Sequence, residues 1–184
     1  DKVTGLGIVG GEDVENTRCA LIVGRNPSAA DPVQWMALKR AKKNGAKFIV
    51  IDPAQTPAAK LADIWLRPKP GSDAAIALAM INVTIKENLL DSEFVKKWTH
   101  GFEDLEKRAA DYSPNHAARL SGVAANDIIE AARLYAAGPS CFVSGHGIDA
   151  FSNGVQTFRA FRCLVAITGN VDRRGGNLRV KRPR

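Results

Sequence analysis

The stretch CALIVGRNPSAADPVQWMALKRAKKNGAKFIVIDP, residues 19–53, decides the fold class, because it places a helical pattern between two apolar runs. Both runs, CALIVG and KFIVIDP, are short and continuously apolar, which is typical of strands buried in a parallel sheet. Between them, Asp31 is placed to cap a helix, Pro32 fits its first position, and Gly45 ends it after a basic last turn. The stretch therefore predicts a strand–helix–strand unit.

The rest of the chain continues this alternation, with Asp73 placed to cap the strongest helical pattern. In order, the sequence predicts an extended piece at 63–73, a helix at 73–90, a middle section of short helices, a helix that stops at Gly138 and Pro139, a strand at 139–147 and an amphipathic helix at 151–170. Strands that alternate with helices in this way form parallel sheets covered by helices. We therefore predict an α/β fold, a doubly wound, mostly parallel, Rossmann-like sheet with helices on both faces.

Composition predicts an ordinary globular chain. The 184 residues are 45% hydrophobic and 24% charged, and no apolar run is long enough to span a bilayer. No repeat or linker divides the chain, so we predict one domain over residues 1–184. The first residues do not resemble a signal peptide and do not begin with Met, which predicts a processed chain or an excised fragment. Three widely spaced cysteines without a C-x-x-C pair predict neither a zinc nor an iron–sulfur site here.

The formal charge of +7 is concentrated in the segment 171–184, which has six Lys or Arg residues against one Asp, a net +5. A basic segment is compatible with nucleic-acid binding, but no aromatic residue lies among these charges to stack on bases. We therefore interpret 171–184 as a basic connector or solvated tail, and we predict no nucleic-acid partner.

Small and polar residues follow each predicted strand, in GRNPS, DPAQT, PKPGSD and SGHGIDAFSNG. Open α/β sheets bind ligands outside the carboxyl ends of their strands, and this composition suits a nucleotide. Backbone N–H groups hold phosphate, while a carboxylate accepts hydrogen bonds from a guanine base or a ribose diol. Taken singly, each feature fits a structural role as well: Asp52 as a turn residue, Asp73 as a helix cap, and the glycines of GHG as a turn.

Taken together, these pieces form a long ordered pattern: G-x-N-P, then A-K-x-x-G-A-K-x-I-V-I-D-P-x-x-T, then A-D-x-W-L-x-x-x-P-G-[ST]-D, then G-x-G and finally T-G-N-x-x-x-x-G-G-N. The pattern runs from about Cys19 to Asn177 and resembles the molybdopterin oxidoreductases of the dimethyl sulfoxide reductase family. In that family two α/β domains of a much longer catalytic subunit each hold one molybdopterin guanine dinucleotide, and the two pterins share one Mo or W atom. This chain resembles one of those domains, the one usually counted third.

The resemblance implies the following cofactor contacts for this chain. The backbone of GRNP would lie by the nucleotide, the residues of DPAQT near the ribose or phosphates, the residues of PGSD at the guanine base, and the GHG loop toward the pterin. The implied residues are Gly24, Arg25, Asn26 and Pro27; Asp52, Gln55 and Thr56; Gly71, Ser72 and Asp73; and Gly145, His146 and Gly147. No catalytic residue and no metal ligand is assigned, and His146 is equally a proton carrier or a pocket-lining group.

The resemblance also implies partners outside this chain. These are the remaining domains of the same catalytic subunit, together with optional iron–sulfur and membrane-anchor subunits, and an iron–sulfur cluster belongs to another domain where one is present. The isolated chain is expected to have no turnover, and the sequence assigns neither a cytoplasmic nor a periplasmic location. Where relatives commonly have Arg or Lys after IDP this chain has Ala54, and we hypothesise that Arg25 supplies the missing positive charge.

Three other functions fit parts of the sequence. The first is a relative that keeps the fold without the cofactor, such as the large iron–sulfur subunit of a respiratory NADH dehydrogenase; the retained IDP, PGSD and GHG disfavour it. The second is a nicotinamide-binding dehydrogenase domain, which the missing G-x-G-x-x-G fingerprint disfavours. The third is a nucleic-acid-binding module, which rests on the basic segment alone.

Overall fold

The computed structural model describes residues 9–179, which form a central parallel sheet with helices on both faces and a small accessory strand pair. The strands are β1 (Val9–Glu12), β2 (Cys19–Val23), β3 (Lys47–Ile51), β4 (Ile64–Leu66), β5 (Ser140–Ser144) and β6 (Asn177–Arg179). The helices are α1 (Pro27–Ala30), α2 (Pro32–Lys43), α3 (Pro57–Lys60), α4 (Asp73–Lys86), α5 (Ser92–Trp98), α6 (Phe102–Ala110), α7 (Pro114–Ser121), α8 (Ala125–Ala136) and α9 (Gly154–Ile167), and a 3-10 turn spans Val14–Asn16.

The central sheet has the strand order β4-β3-β2-β5, and all neighbouring strands are parallel. The chain therefore builds outward from β2 through β3 to β4 and then returns to the other side of β2 as β5. This reversal creates a switch point between β2 and β5, where the following loops leave toward opposite faces of the sheet. The predicted doubly wound α/β fold is confirmed.

Alternation along the strands divides the core into two layers, because successive side chains point to opposite faces. Ala20, Ile22 and Val50 lie on the face covered by α2 and α3. Leu21 and Ile49 lie on the other face, which is covered by α4, α8 and α9. Helices thus cover both faces, as predicted.

Helix α4 is buried on nearly all sides, which explains why its sequence DAAIALAMINVTIK lacks a polar stripe. It contacts α6, α7, α8 and α9, and its alanines allow these close approaches. One detail of the prediction was wrong. Asp73 does not cap this helix from outside; Ser72 precedes the helix, and Asp73 is its first residue.

The antiparallel pair of β1 and β6 was not predicted, because its strands are three or four residues long and carry no alternating pattern. The described part of the segment 171–184 therefore pairs with β1 and packs against the domain. Asn177, 2% exposed, donates to the carbonyl of Phe142 and accepts from its N–H, both at 2.9 Å. Residues 180–184 lie outside the described residues, so the interpretation of 171–184 as a connector or tail stays a prediction.

Two buried asparagines close the open edge of β5. Asn177 pairs with Phe142 as a neighbouring strand would, and the side-chain oxygen of Asn170 accepts the Ser140 N–H at 2.9 Å. An uncovered edge strand exposes unpaired backbone groups. The motif T-G-N-x-x-x-x-G-G-N therefore has a structural role at the sheet edge.

Candidate functional site

The four predicted polar loops meet at the carboxyl edge of the sheet. The Gly24 N–H donates to the Ile51 carbonyl at 3.0 Å and joins the loops after β2 and β3. The Asn153 side chain donates to the Gly71 carbonyl, also at 3.0 Å, and joins the loops after β5 and β4. The structure thus brings the loops after all four strands into one continuous rim.

The glycines of this rim are required by close backbone contact at the switch point. Gly147 donates to the Gly24 carbonyl at 3.0 Å, and Gly145 donates to the Val23 carbonyl at 3.1 Å. A Cβ atom on Gly145 would lie 2.4 Å from the Gly24 carbonyl oxygen, which is closer than real contacts allow. Gly24 itself has φ +54°, a left-handed conformation that favours glycine. Contact between the two loops therefore accounts for Gly24, Gly145 and Gly147.

Asp52 lies directly after β3 in a tight turn and is 9% exposed. Its Oδ1 accepts the N–H of Ala54 at 2.8 Å, and its backbone carbonyl accepts the indole N–H of Trp65 at 2.9 Å. Burial raises the pKa of this carboxyl, and the Ala54 N–H offsets part of that rise. Asp52 is thus a turn residue, as one interpretation held, and also a buried carboxylate.

Asp73 is the first residue of α4 and lies across the rim from Asp52. It is 8% exposed. Burial raises the pKa of its carboxyl; its own backbone N–H lowers that pKa, and the nearby charge of Asp52 raises it again. In residues 9–179, no Lys, Arg or His side chain forms an ion pair with either carboxylate. Two desolvated acceptors thus lie close together at the rim, which is the arrangement that donors of a ligand would satisfy.

The hydroxyls predicted to join the site are already engaged in local structure. Thr56 caps α3 by accepting the Ala59 N–H at 3.1 Å, and Ser72 donates to the Lys69 carbonyl at 2.6 Å. Gly71 has φ +84° and faces the ring of Phe151, which would lie 3.3 Å from a Cβ atom on this glycine. Gln55 is exposed and lies on the same rim.

Arg25 is held tightly against the protein. Its Nε donates to Gln34 at 2.8 Å, one terminal nitrogen donates to the Ser144 carbonyl at 3.2 Å, and the other contacts Asp31 at 3.2 Å. Asn26 accepts the Ser28 hydroxyl at 2.6 Å, and Pro27 is buried in the first turn of α1. The Arg25 guanidinium therefore joins the loop after β2 to the end of β5.

His146 lies at the outer side of the rim with a fully exposed side chain, and its Nδ1 lies 3.2 Å from Asp149 Oδ2. The imidazole thus has a carboxylate partner and open access to solvent. This geometry leaves both predicted roles for His146 open.

Sequence reasoning missed four residues of this rim: Trp65, Arg67, Phe151 and Asn153. Each acts through a contact with a loop that is separated from it in the chain. Arg67 lies inside the predicted extended piece 63–73, directly before the polar stretch PKPGSD, and this position is the signal that could have found it.

Two depressions in the described residues lie away from this rim. One of about 420 Å³, lined by Arg18, Lys47 and Gly138 among others, lies at the amino ends of β2 and β3. Within residues 9–179, no group of three or more His, Cys, Asp or Glu side chains could hold a metal ion. No described helix is long and apolar enough to cross a membrane.

Comparison with known proteins identifies the class to which this fold and rim belong. The family model for molybdopterin oxidoreductases matches residues 5–182, so the chain belongs to that family. The resemblance to the dimethyl sulfoxide reductase family is thereby confirmed.

Individual relatives share this segment at substantial identity. The alpha subunit of F420-dependent formate dehydrogenase from Methanocaldococcus jannaschii is 42% identical over 165 residues, covering 89% of this chain and 24% of the relative. Formate dehydrogenase H from Escherichia coli is 38% identical, covering 86% of this chain and 22% of the relative. The solved structure of acetylene hydratase from Pelobacter acetylenicus superposes with a TM-score of 0.84 at 36% identity, covering 91% of this chain and 24% of that one. The chain spans about a quarter of the length of the relatives it matches.

Proposed function

We propose that this chain is the domain of a molybdenum- or tungsten-dependent oxidoreductase that binds one molybdopterin guanine dinucleotide at the carboxyl edge of its sheet. Asp73 accepts hydrogen bonds from the N–H groups of the guanine base, and the turn at Asp52 lies by the ribose or the phosphates. The GHG loop faces the pterin. Family membership supports the pterin, and the paired carboxylates support the guanine nucleotide.

The observation that carries this proposal is the pair of buried carboxylates at the rim. Asp73 is 8% exposed and Asp52 is 9% exposed, and neither has a cationic partner among the described residues. A buried charge without a partner is costly, so such groups are retained where a ligand supplies the missing donors. A guanine base offers adjacent N–H donors, and a ribose offers hydroxyl donors, which matches the acceptor chemistry present.

The residues of this chain would bind and orient the cofactor. When bound, the cofactor supplies a metal centre that exchanges electrons or an oxygen atom with the substrate. The loops after β2 and β5, joined through Gly24 and Gly147, form a rigid rim on which the nucleotide rests. Positioning on rigid elements is what a cofactor domain contributes to catalysis.

The proposal also concerns the parts of the enzyme that lie outside this chain. Because the chain spans about a quarter of its relatives, we infer that the metal ligand, the second dinucleotide and the substrate funnel lie in other domains of a longer catalytic subunit. Relatives that share this segment are named formate dehydrogenase, assimilatory nitrate reductase and acetylene hydratase, so this segment does not select a substrate.

The experiment measures guanine nucleotide, Mo and W released by acid from the catalytic subunit that contains this segment, expressed anaerobically. We expect two guanine nucleotides per metal atom, and we expect Asp73→Ala to lose about half of the nucleotide. Asp111→Asn, which neutralises an exposed carboxylate at the end of α6, is the control and should retain both nucleotides. Absence of nucleotide and metal, in a host that loads a control enzyme, would favour the relative without the cofactor.

A further inference from the structure

Arg67 lies at the same rim, beside the turn of Asp52. It directly follows β4, and the N–H of Asp52 donates to the carbonyl of the preceding Leu66 at 3.2 Å. The Nε of Arg67 donates to the Pro53 carbonyl at 3.0 Å. The guanidinium is therefore attached to the loop after β3, although it belongs to the loop after β4.

Trp65 provides a second support for this side chain. The guanidinium carbon of Arg67 lies 5.8 Å from the centroid of the Trp65 ring, within cation–π range. The Trp65 indole N–H in turn donates to the Asp52 carbonyl at 2.9 Å. The turn at Asp52 thus holds both side chains, which limits the conformations of an exposed arginine and lowers the entropic cost of binding.

The positive charge of Arg67 is not used inside the described part of the chain. Within residues 9–179 it forms no ion pair, and its two terminal nitrogens make no hydrogen bond. Arg25 differs, because its guanidinium is occupied by Gln34, Asp31 and the Ser144 carbonyl. A ligand at the rim would therefore meet the free donors of Arg67 rather than those of Arg25.

Lys69, the other cation of the loop after β4, is directed elsewhere. Its side-chain Cε lies 3.6 Å from the position of a Cβ on Gly122, at the end of α7. Its backbone N–H donates to the Ser121 carbonyl, which fixes that part of the loop against the same helix. Arg67 is accordingly the cation of this loop that is held at the Asp52 turn.

We infer that Arg67 is a ligand-contacting residue that binds a phosphate group of the guanine nucleotide, an inference that rests on the proposed function. The two carboxylates of the rim accept donors but repel phosphate, so a phosphate-bearing ligand needs a cation beside them. The terminal N–H groups of a guanidinium match the spacing of phosphate oxygens. Arg67 therefore recognises the phosphates, and Asp73 recognises the base.

The experiment compares two probes, guanosine and guanosine 5′-diphosphate, titrated calorimetrically into the 184-residue chain at low salt. We expect Arg67→Gln to weaken binding of the diphosphate about five-fold, the upper end for an exposed ion pair, and to leave guanosine binding unchanged. Added salt should reduce the difference in diphosphate affinity between the unaltered chain and Arg67→Gln. Arg67→Lys keeps the charge but not the paired donors, so its affinity for the diphosphate should lie between those of the unaltered chain and Arg67→Gln.

Arg18→Gln is the matched control, because Arg18 is exposed at the amino edge of the sheet and its loss changes the net charge equally. This control should bind both probes as the unaltered chain does. Equal affinity of the unaltered chain and Arg67→Gln for the diphosphate would overturn the role of Arg67 and leave the proposed function standing. If the unaltered chain binds neither probe, both this inference and the proposed function are contradicted. If Arg67→Gln weakens binding of both probes equally, this inference alone is contradicted.

Discussion

Asp73 shows how a proposed binding residue can oppose the stability of its own fold. The carboxylate lies in the first turn of α4, where the helix dipole favours a negative charge. Its pKa is nevertheless raised, so burial and the charge of Asp52 outweigh the helix and its backbone N–H. Ionised Asp73 is therefore a local cost that a bound donor would offset.

Replacing Asp73 with Asn should stabilise the chain at neutral pH by about 1 kcal/mol, because the charge is removed and the shape is kept. A pKa raised above the ordinary 3.8 means that the folded chain holds the proton more tightly than the unfolded chain does. The free energy of unfolding of the unaltered chain should therefore fall as the pH rises through the raised pKa. Asp73→Asn has no carboxyl at this position, so its free energy of unfolding should not show that fall.

Urea unfolding of both chains between pH 3 and pH 7 checks this prediction. The gain in free energy of unfolding should shrink as the pH falls toward 3.8 and should be absent below it. Asp111→Asn, at an exposed position, should show no such dependence. A variant that is less stable than the unaltered chain at pH 7 would mean that the helix interaction dominates.

Gly145→Ala tests the contact at the switch point. The added Cβ would lie 2.4 Å from the Gly24 carbonyl oxygen and 2.7 Å from the Cβ of Arg25, so one loop must shift. We expect a loss of about 1–3 kcal/mol in the free energy of unfolding, the range for overpacking. Ser144→Ala, at the adjacent residue whose carbonyl alone makes the contact with Arg25, should change stability little. Equal effects of the two substitutions would refute the proposed crowding.

At the scale of elements, the edge of β5 depends on side chains that replace a neighbouring strand. Asn177 satisfies both backbone groups of Phe142, and Asn170 satisfies the N–H of Ser140. All three contacts join β5 to the chain beyond α9. The strand β5 is therefore completed by residues that follow their partners by 30 and 35 positions.

Asn177→Ala should lower the free energy of unfolding by about 2 kcal/mol, because it leaves the buried N–H and carbonyl of Phe142 without partners. Hydrogen exchange of the Phe142 amide should accelerate together with this loss. Asn115→Ala, at an exposed position in α7, is the control and should leave both measurements unchanged. Unchanged protection of the Phe142 amide in Asn177→Ala would contradict the proposed closure.

At the scale of the whole molecule, the sequence predicted the elements that carry continuous apolar runs or clear helical patterns. The strands β2, β3 and β5 and the helices α2, α4 and α9 were found in this way. The β1–β6 pair was missed because its stability comes from contacts across the domain and not from a local pattern.

The sequence predicted which loops form the candidate site, but not the side-chain contacts between them. Asp52 and Asp73 follow strand ends, so their common edge could be derived from the fold class alone. The support of Arg67 by Pro53 and Trp65 depends on the alignment of β3 with β4, which a single sequence does not reveal. The engagement of Arg25 could not be foreseen either, since it requires Gln34 and Ser144 to lie on neighbouring elements.

The isolated 184-residue chain should show no turnover, because the proposed enzyme needs the metal centre and the domains that complete it. The measurement is oxidation of a reduced viologen dye by the purified chain with nitrate as the acceptor, and oxidation of formate with the oxidised dye. The catalytic subunit that contains this segment serves as the comparison. Turnover by the chain alone would overturn the assignment of the metal ligand to another domain.

The asparagine closure of β5 also bears on how the chain behaves in solution when it is shortened. A chain that ended before Asn170 would keep β5 but lose the side chains that occupy its outer backbone groups. Those groups would then be free to pair with β5 of a second copy, strand against strand. Shortening the chain at this end should therefore produce self-association before it produces unfolding.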